Sequence, residues 1–175
     1  FVISLSADSE NRVITNADAM CLDDFGVDEF GSGLIAYYPF NGNANDESTN
    51  SNNLTVSGPT LSTDRFEAGS KAYSFDGSND YLTAAHPASL NIPDGLTLSA
   101  WVHPADTRNA VIIEKGNGES NNCDFQLLND QGKLNYWWRS ANRNGQSTKT
   151  STTVLSPNIW THVMAVHISG SQPSL

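Results

Sequence analysis

Residues 123–140, CDFQLLNDQGKLNYWWRS, bring an indole, side-chain amides, a guanidinium and a carboxylate into one short stretch. Two β-rich runs flank Gln131-Gly132, and we expect a hairpin turn there, between Asp130 and Lys133. Because side chains alternate along a strand, one face of this hairpin is apolar. Its members are Phe125, Leu127, Leu134, Tyr136 and Trp138. The opposite face carries Asp124, Gln126, Leu128, Asn135, Trp137 and Arg139.

The second face of the hairpin has the chemistry of a sugar-binding site. An indole stacks on a sugar ring, while amide, guanidinium and carboxylate groups form hydrogen bonds with its hydroxyls. In the expected register Gln126 lies across from Trp137, and Asp124 lies across from Arg139. The alternative is that Trp137 packs under a loop and that Asp124 and Arg139 form a surface ion pair worth under about 1 kcal/mol.

A second polar cluster, NGNANDESTNSNN at residues 41–53, directly follows an apolar run typical of a strand. Such a loop either supplies oxygen ligands or caps its own turns through side-chain to backbone hydrogen bonds. It is not an EF-hand, because counting from Asn41 puts Asp46 where Gly is required and Asn52 where Glu belongs. Further on, the turn FDGSNDY places Asp76 and Asp80 near each other.

The sequence carries no strong catalytic pattern, and we predict that the protein is not an enzyme. Retaining glycosidases need two carboxyl groups roughly 5–5.5 Å apart, typically from alternate residues of one strand. No strand-like run has such a pair, and Glu114 and Glu119 flank a glycine-rich turn. The histidines follow no HExxH spacing, and no GxSxG elbow occurs. They are His86, His103, His162 and His167.

The charge distribution excludes some partners. The net charge is −10, and residues 1–98 carry fourteen acids against three bases, whereas residues 99–175 carry five acids against six bases. This field repels phosphate backbones, so nucleic-acid binding is disfavoured. No apolar run reaches the roughly 18 residues of a membrane span, and we expect any export signal to have been removed already.

The two cysteines, Cys21 and Cys123, do not have the spacing of a metal site. They form either one disulfide or two unrelated thiols. A disulfide would close a loop of about 100 residues, worth on the order of 4–5 kcal/mol in the chain-entropy model.

From residue 34 onward short β-rich runs recur between turn residues, and no apolar set keeps helical spacing for a dozen residues. The fold class is therefore all-β and antiparallel. In LTLSAWVHP, the residues Leu96, Leu98, Ala100 and Val102 share one face. Trp101 lies on the other face, so we expect a second sheet to cover it. IWTHVMAVHIS is apolar on both faces and is predicted to be a central strand.

Five stretches in order resemble the laminin-G-like jelly rolls of the concanavalin A-like lectin/glucanase fold: GLIAYYPFNGNANDES, NNLTVSG, AYSFDGSNDYL, LTLSAWVHP and NIWTHVMAV. The resemblance implies an antiparallel two-sheet jelly-roll sandwich over residues 33–175, preceded by an acidic leader or linker over residues 1–32. Family members normally continue past the WTHVMAV strand. We therefore expect the domain to be truncated at its carboxyl end, with further strands lying beyond this sequence or supplied by another chain.

The resemblance also implies a structural Ca²⁺ ion in the polar loop. Hard cations take about six to eight oxygen ligands at roughly 2.3–2.6 Å, which carboxylates, amides and turn carbonyls provide. Asp46 is the main expected ligand. The full expected set is Asp46, Asn43, Asn50 and Asn53, with Asp76 and Asp80 from the second turn.

The sequence as a whole predicts a non-catalytic recognition or adhesion module, secreted or at the cell surface. Its expected partner is a glycan or an extracellular protein. Two alternatives stay open, because this fold hosts unrelated functions. One is a structural subunit that self-assembles into an extracellular filament or other assembly. The other is an accessory or remnant domain of a glycoside hydrolase.

Overall fold

A computed structural model describes residues 3–6, 33–85, 95–116, 123–139, 146–168 and 173–175 of the protein. The regular elements of these ranges are twelve β-strands: β1 (Ile3–Ser6), β2 (Leu34–Tyr38), β3 (Leu54–Ser57), β4 (Thr60–Ser62), β5 (Ala72–Ser74), β6 (Tyr81–Ala84), β7 (Gly95–Val102), β8 (Ala110–Gly116), β9 (Cys123–Asp130), β10 (Lys133–Arg139), β11 (Gln146–Val154) and β12 (Thr161–Ile168). Within these ranges no helix is long and apolar enough to cross a membrane.

The strands form two four-stranded sheets and two small ladders. The first sheet has the order β12-β7-β1-β2, and the second sheet has the order β11-β10-β9-β8. The ladders pair β3 with β6 and β4 with β5. Every pairing between these strands is antiparallel. The predicted all-β antiparallel class is confirmed.

Strict alternation along the strands builds the core between the two sheets. Leu96, Leu98, Ala100 and Val102 are buried on β7 as predicted, and every second residue of β10 is buried as well. Buried residues of both sheets belong to one cluster, and burial of each leucine stabilises the fold by roughly 1.5–3 kcal/mol. His167 of β12 stacks across the interface on Trp138 of β10, with ring centroids 4.2 Å apart. The arrangement is a sandwich.

Two details of the sequence prediction are wrong. Trp101 lies on the face of β7 opposite the buried residues, so the second sheet does not cover it. Its cover is the guanidinium of Arg65, 4.3 Å from the ring centroid. Among the described strands β12 is the outermost of its sheet, not a central one, because β7 is the strand with which it pairs there. On the other side Val166 exchanges backbone hydrogen bonds with Ser174, both 2.9 Å long.

The amino-terminal part of the chain contributes a strand. Strand β1 (Ile3–Ser6) lies between β2 and β7 in the first sheet. The rest of the segment 1–32 predicted to be a leader lies outside the described residues, and so do Cys21, His86 and Glu119. The disulfide between Cys21 and Cys123 stays a prediction.

Candidate functional site

The β9–β10 hairpin turns where the sequence predicts. Asp130 pairs with Lys133, and the two residues between them, Gln131 and Gly132, have φ angles of 51° and 84°. Positive φ at both central positions is the geometry of a type I′ turn, whose twist matches that of the flanking strands. The buried side chain of Asn129 accepts a hydrogen bond from the Gly132 backbone nitrogen at 2.9 Å, which fixes the turn.

The two faces of this hairpin divide as expected. All five residues of the predicted apolar face are buried, and the six residues of the opposite face are half-buried. Gln126 pairs directly with Trp137, so that part of the predicted register is confirmed. The structure thus brings the five predicted sugar-binding residues to the outer face of the second sheet: Asp124, Gln126, Asn135, Trp137 and Arg139.

Neighbouring strands extend this outer face. Glu114 of β8 pairs with Gln126, and Thr148 of β11 pairs with Trp137, which makes one row across four strands. Strands lie about 4.8 Å apart, so the row spans roughly 14 Å. A hydrogen bond of 3.0 Å joins Gln126 Nε2 to Glu114 Oε2. Neither Glu114 nor Thr148 was predicted to belong to this site, because strand neighbours depend on long-range register.

A second row runs beside the first. Leu128 pairs with Asn135, which in turn pairs with Thr150. The Asn135 amide donates a hydrogen bond of 2.9 Å to the Thr150 hydroxyl. We call the outward polar and aromatic side chains of the two rows, together with the flanking Asp124 and Arg139, the polar face; its members are Glu114, Asp124, Gln126, Asn135, Trp137, Arg139, Thr148 and Thr150.

The ion pair of Asp124 on the polar face is made with Lys115, whereas the predicted surface pair joined Asp124 to Arg139. Asp124 Oδ2 lies 2.7 Å from Lys115 Nζ, and the Lys115 side chain is only 13% exposed. The Arg139 guanidinium lies 5.1 Å from the centroid of the Trp137 ring. A cation at this distance is attracted to the face of an indole. The indole is therefore bordered by amides on one side and by a guanidinium at one end.

The polar loop at residues 43–53 folds around the carboxylate of Asp46, which is 7% exposed. Oδ1 accepts hydrogen bonds of 2.8 Å from the backbone nitrogens of Tyr37 and Ser48. Oδ2 accepts one of 2.8 Å from the Asn52 nitrogen and one of 2.9 Å from the Ser48 hydroxyl. Tyr38 Oη donates to the Asn52 carbonyl at 2.6 Å. Burial, and then the charge of Asp46, raise the pKa of Tyr38 far above its ordinary value.

The other expected calcium ligands also have partners within the protein. Asn43 Oδ1 accepts from the Asn45 nitrogen, and Asn53 Oδ1 accepts from the Asp46 nitrogen, both at 2.9 Å. The Asn50 amide nitrogen donates to the carbonyls of Leu34 and Ile35, each at 3.1 Å. The side-chain oxygens of the loop therefore hold its own backbone, and the Asn50 amide attaches the loop to β2.

The second acidic turn is remote from this loop. Asp80 Oδ2 accepts a hydrogen bond from the Asp76 nitrogen at 2.9 Å, so these two acids are neighbours as expected. Asp80, however, immediately precedes β6, at the far end of the β3–β6 ladder, where Ser57 pairs with Tyr81. The length of β3 separates it from the loop, about 13 Å at 3.3 Å per residue.

This arrangement does not fit a calcium ion held by the full expected set. The loop and the second turn do not converge, and the four hydrogen bonds to Asp46 occupy its lone pairs. Across the described ranges no group of three or more His, Cys, Asp or Glu side chains is placed to hold a metal ion. The geometry matches the alternative of turn capping. Calcium in the loop stays a prediction.

A comparison with protein-family models decides the family. The model described as the concanavalin A-like lectin/glucanases superfamily, of the laminin G type, matches residues 76–173, more than half of the chain. The chain belongs to this superfamily. Searches of curated proteins and of solved structures found no match.

Membership of the concanavalin A-like superfamily establishes the fold and leaves the activity open. The superfamily contains both lectins and glucanases. The matched range includes every residue of the polar face, and it begins after the loop at residues 43–53. The resemblance found from the sequence is confirmed for the family, and the polar face is the candidate site that lies inside the matched region.

Proposed function

We propose that this laminin-G-like domain is a non-catalytic recognition module that binds a carbohydrate on the polar face. Laminin-G-like domains are typically extracellular, and lectin-like members of the superfamily bind glycans or proteins. We place the module outside the cell, secreted or at a cell surface, on that basis.

The outward indole of Trp137 is the observation that carries the proposal. Gln126 and Thr148 flank it in one row, with Asn135 in the next. Amides both donate and accept, as sugar hydroxyls require, while the ring covers the apolar face of a sugar. Residues on a strand of a rigid sheet hold such groups in a fixed pattern, which lowers the entropy cost of binding.

The carboxylates of the polar face support binding over catalysis. Glu114 accepts a hydrogen bond from Gln126 at 3.0 Å, and Asp124 is paired with Lys115 at 2.7 Å. A glycosidase would need one of the pair to act as an acid and the other as a nucleophile or base. Glu114 instead holds the Gln126 amide in position, and Asp124 neutralises the largely buried Lys115.

The proposal is tested by screening the domain on a glycan array and measuring the best neutral ligand by calorimetry. Trp137→Ala should weaken binding about tenfold or more, as loss of a central aromatic anchor does. The matched control is Tyr81→Ala, an aromatic residue 54% exposed on β6 and away from the polar face, which should leave affinity unchanged.

Three results would contradict the proposal. One is equal binding by the Trp137→Ala and Tyr81→Ala variants. Another is release of reducing ends from a polysaccharide, which would favour the glycosidase alternative. The third is no glycan binding together with a mass that grows with protein concentration, which would favour the assembly alternative.

A further inference from the structure

A guanidinium lies over the outer face of the first sheet, on the side of the sandwich opposite to the polar face. Arg65 Cζ is 3.9 Å from the centroid of the Phe66 ring and 4.3 Å from the centroid of the Trp101 ring. Both contacts are short enough for strong cation–π attraction. Phe66 is 69% exposed, so the outer surface of this cluster is an aromatic ring open to solvent.

Among the described residues no carboxylate forms an ion pair with Arg65. It belongs to the half of the chain that carries fourteen acids and three bases, and its guanidinium lies over two aromatic rings. Stacking uses the faces of a guanidinium and leaves the N–H groups at its edge available. Those groups form the planar fork that binds an oxyanion through two parallel hydrogen bonds.

The loop between β4 and β5 fixes this cation in place. Asp64 Oδ1 accepts hydrogen bonds from the backbone nitrogens of Phe66 at 2.8 Å and Ala68 at 2.9 Å. The Gly42 nitrogen donates to the Ser70 carbonyl at 2.8 Å, which ties the loop to the segment after β2. Arg65 is thus presented by a hydrogen-bonded turn, and little entropy is lost when it binds a ligand.

A second basic group lies beside the guanidinium. His162 pairs with Trp101 across β12 and β7, and its Nε2 lies 2.7 Å from Ser99 Oγ. Burial, and then the positive charge of Arg65, lower the pKa of His162. An anion bound between Arg65 and His162 would offset the positive charge of Arg65 and so raise the pKa of His162. Ligand binding and proton uptake at His162 are therefore linked.

We infer that Arg65, His162 and Ser99 bind the carboxylate or sulfate of an acidic saccharide, with the exposed Phe66 ring packing against the sugar. The shared chemistry is an oxyanion on a sugar ring. This site is independent of the polar face, which lies on the other sheet and whose carboxylates disfavour an anion. We call it the anion site.

The test compares saccharides of equal length and different charge. The probes are a uronate disaccharide, a sulfated disaccharide, a neutral disaccharide and inorganic sulfate, titrated by calorimetry at low and high salt. The acidic sugars should bind more tightly than the neutral one, and high salt should lower the affinity for the acidic sugars. In NMR titrations the pKa of His162, assigned with a His162→Gln variant, should rise when an acidic sugar is present and stay constant with the neutral sugar.

A charge-conserving substitution isolates the guanidinium fork. Arg65→Lys keeps the charge and loses the planar edge, so affinity for acidic sugars should fall about tenfold, the value of one charge-assisted hydrogen bond. The matched control is Arg108→Lys. Arg108 is 77% exposed, and its Nε is already paired with Asp106 at 2.7 Å, so this variant should bind like the wild type.

The outcomes separate this inference from the proposed function. Trp137→Ala should weaken neutral-sugar binding and leave acidic-sugar binding intact. Equal losses in the Arg65→Lys and Arg108→Lys variants would overturn the anion site, as would an unchanged His162 pKa at saturation. Loss of acidic-sugar binding in Trp137→Ala would show that the acidic sugar binds on the polar face, and would overturn the anion site. Tighter binding of uronate than of sulfate, or the reverse, identifies which oxyanion the site takes.

Discussion

Substitution of Asp46 by Asn tests how the polar loop is held together. The change keeps the size of the side chain and replaces one carboxylate oxygen with an amide nitrogen. In the native loop Asp46 Oδ1 accepts hydrogen bonds from the backbone nitrogens of Tyr37 and Ser48. Oδ2 accepts hydrogen bonds from the Asn52 backbone nitrogen and the Ser48 hydroxyl. Either orientation of the new amide therefore directs a donor at an existing donor.

The magnitude follows from counting those bonds. The less costly orientation puts the amide nitrogen at the Oδ2 position, where the Ser48 hydroxyl turns to accept and only the Asn52 nitrogen loses its partner. A hydrogen bond to a charged group contributes about 1.5–3 kcal/mol, and the bonds that remain at Oδ1 lose their charge assistance. We expect the free energy of unfolding to fall by about 2–4 kcal/mol.

Equilibrium unfolding in urea, followed by tryptophan fluorescence, measures this loss. The matched control is Asp76→Asn. Asp76 is exposed, and its Oδ1 accepts from the backbone nitrogens of Ser78 at 2.8 Å and Asn79 at 3.4 Å. An asparagine oxygen can accept the same bonds, so this control should change stability by less than about 0.5 kcal/mol. The free energy of unfolding must fall with urea concentration at the same slope in all variants before their midpoints are compared.

Two results would refute the hydrogen-bonding account of the loop. One is a loss in Asp46→Asn no larger than that in Asp76→Asn. The other comes from a chelator: if it lowers the melting temperature of the wild type and not of Asp46→Asn, then Asp46 binds calcium and the predicted metal is correct. With hydrogen bonds alone, the chelator leaves both melting temperatures unchanged.

Two further predictions concern glycine conformation and pH. Gly58 has a φ of +94°, and a Cβ there would collide with the carboxylate of Asp80, so Gly58→Ala should cost about 1 kcal/mol or more in urea unfolding; an unchanged midpoint would show that the turn rearranges freely. Burial lowers the pKa of His167 below its ordinary 6.5, so the unfolded chain binds its proton first as the pH falls. Stability should therefore be full above pH 6.5 and decline below it, measured as the urea midpoint from pH 7.5 to 5.5. His167→Phe should reduce this decline and leave the part due to His162, whose pKa is also lowered, whereas His103→Gln, at an exposed position, should not change it; the same slope in both variants would contradict the prediction.

Local periodicity explains how much of the fold the sequence reveals. Alternation identified the buried faces of β7 and of the β9–β10 hairpin, because a period of two assigns each side chain to a face whatever lies beside the strand. The Gln131-Gly132 turn then fixed the register of that hairpin. The strand β4 is three residues long, which is too short for alternation to appear, so it was not predicted.

Neighbours across a sheet are set by contacts between distant parts of the chain, which periodicity does not reveal. Alternation showed that Trp101 points away from Leu98 and Ala100, but not that Arg65 covers it. In the same way Glu114 joins Gln126 only after β8 is placed beside β9. The candidate site was therefore predictable as a hairpin and not as a four-stranded face.

The polar loop illustrates a different limit. A carboxylate among asparagines and serines is equally suited to a cation and to backbone N–H groups, since both are satisfied by oxygen lone pairs. What separates the two functions is the direction of the nearby amides. Tyr37 on β2 supplies one of the donors to Asp46, and its position is known only from the fold.

The two outer faces of the sandwich carry the same pair of residue types in different surroundings. Trp137 has Arg139 at 5.1 Å, and Trp101 has Arg65 at 4.3 Å, so each sheet presents an indole with a guanidinium outward. Around Trp137 the neighbours are amides, hydroxyls and carboxylates that are themselves paired, which suits a neutral ligand. Around Trp101 the neighbours include His162, and no carboxylate of the described residues pairs with the guanidinium, which suits an anionic ligand. Local charge, more than the aromatic anchor, would then decide which sugar each face selects.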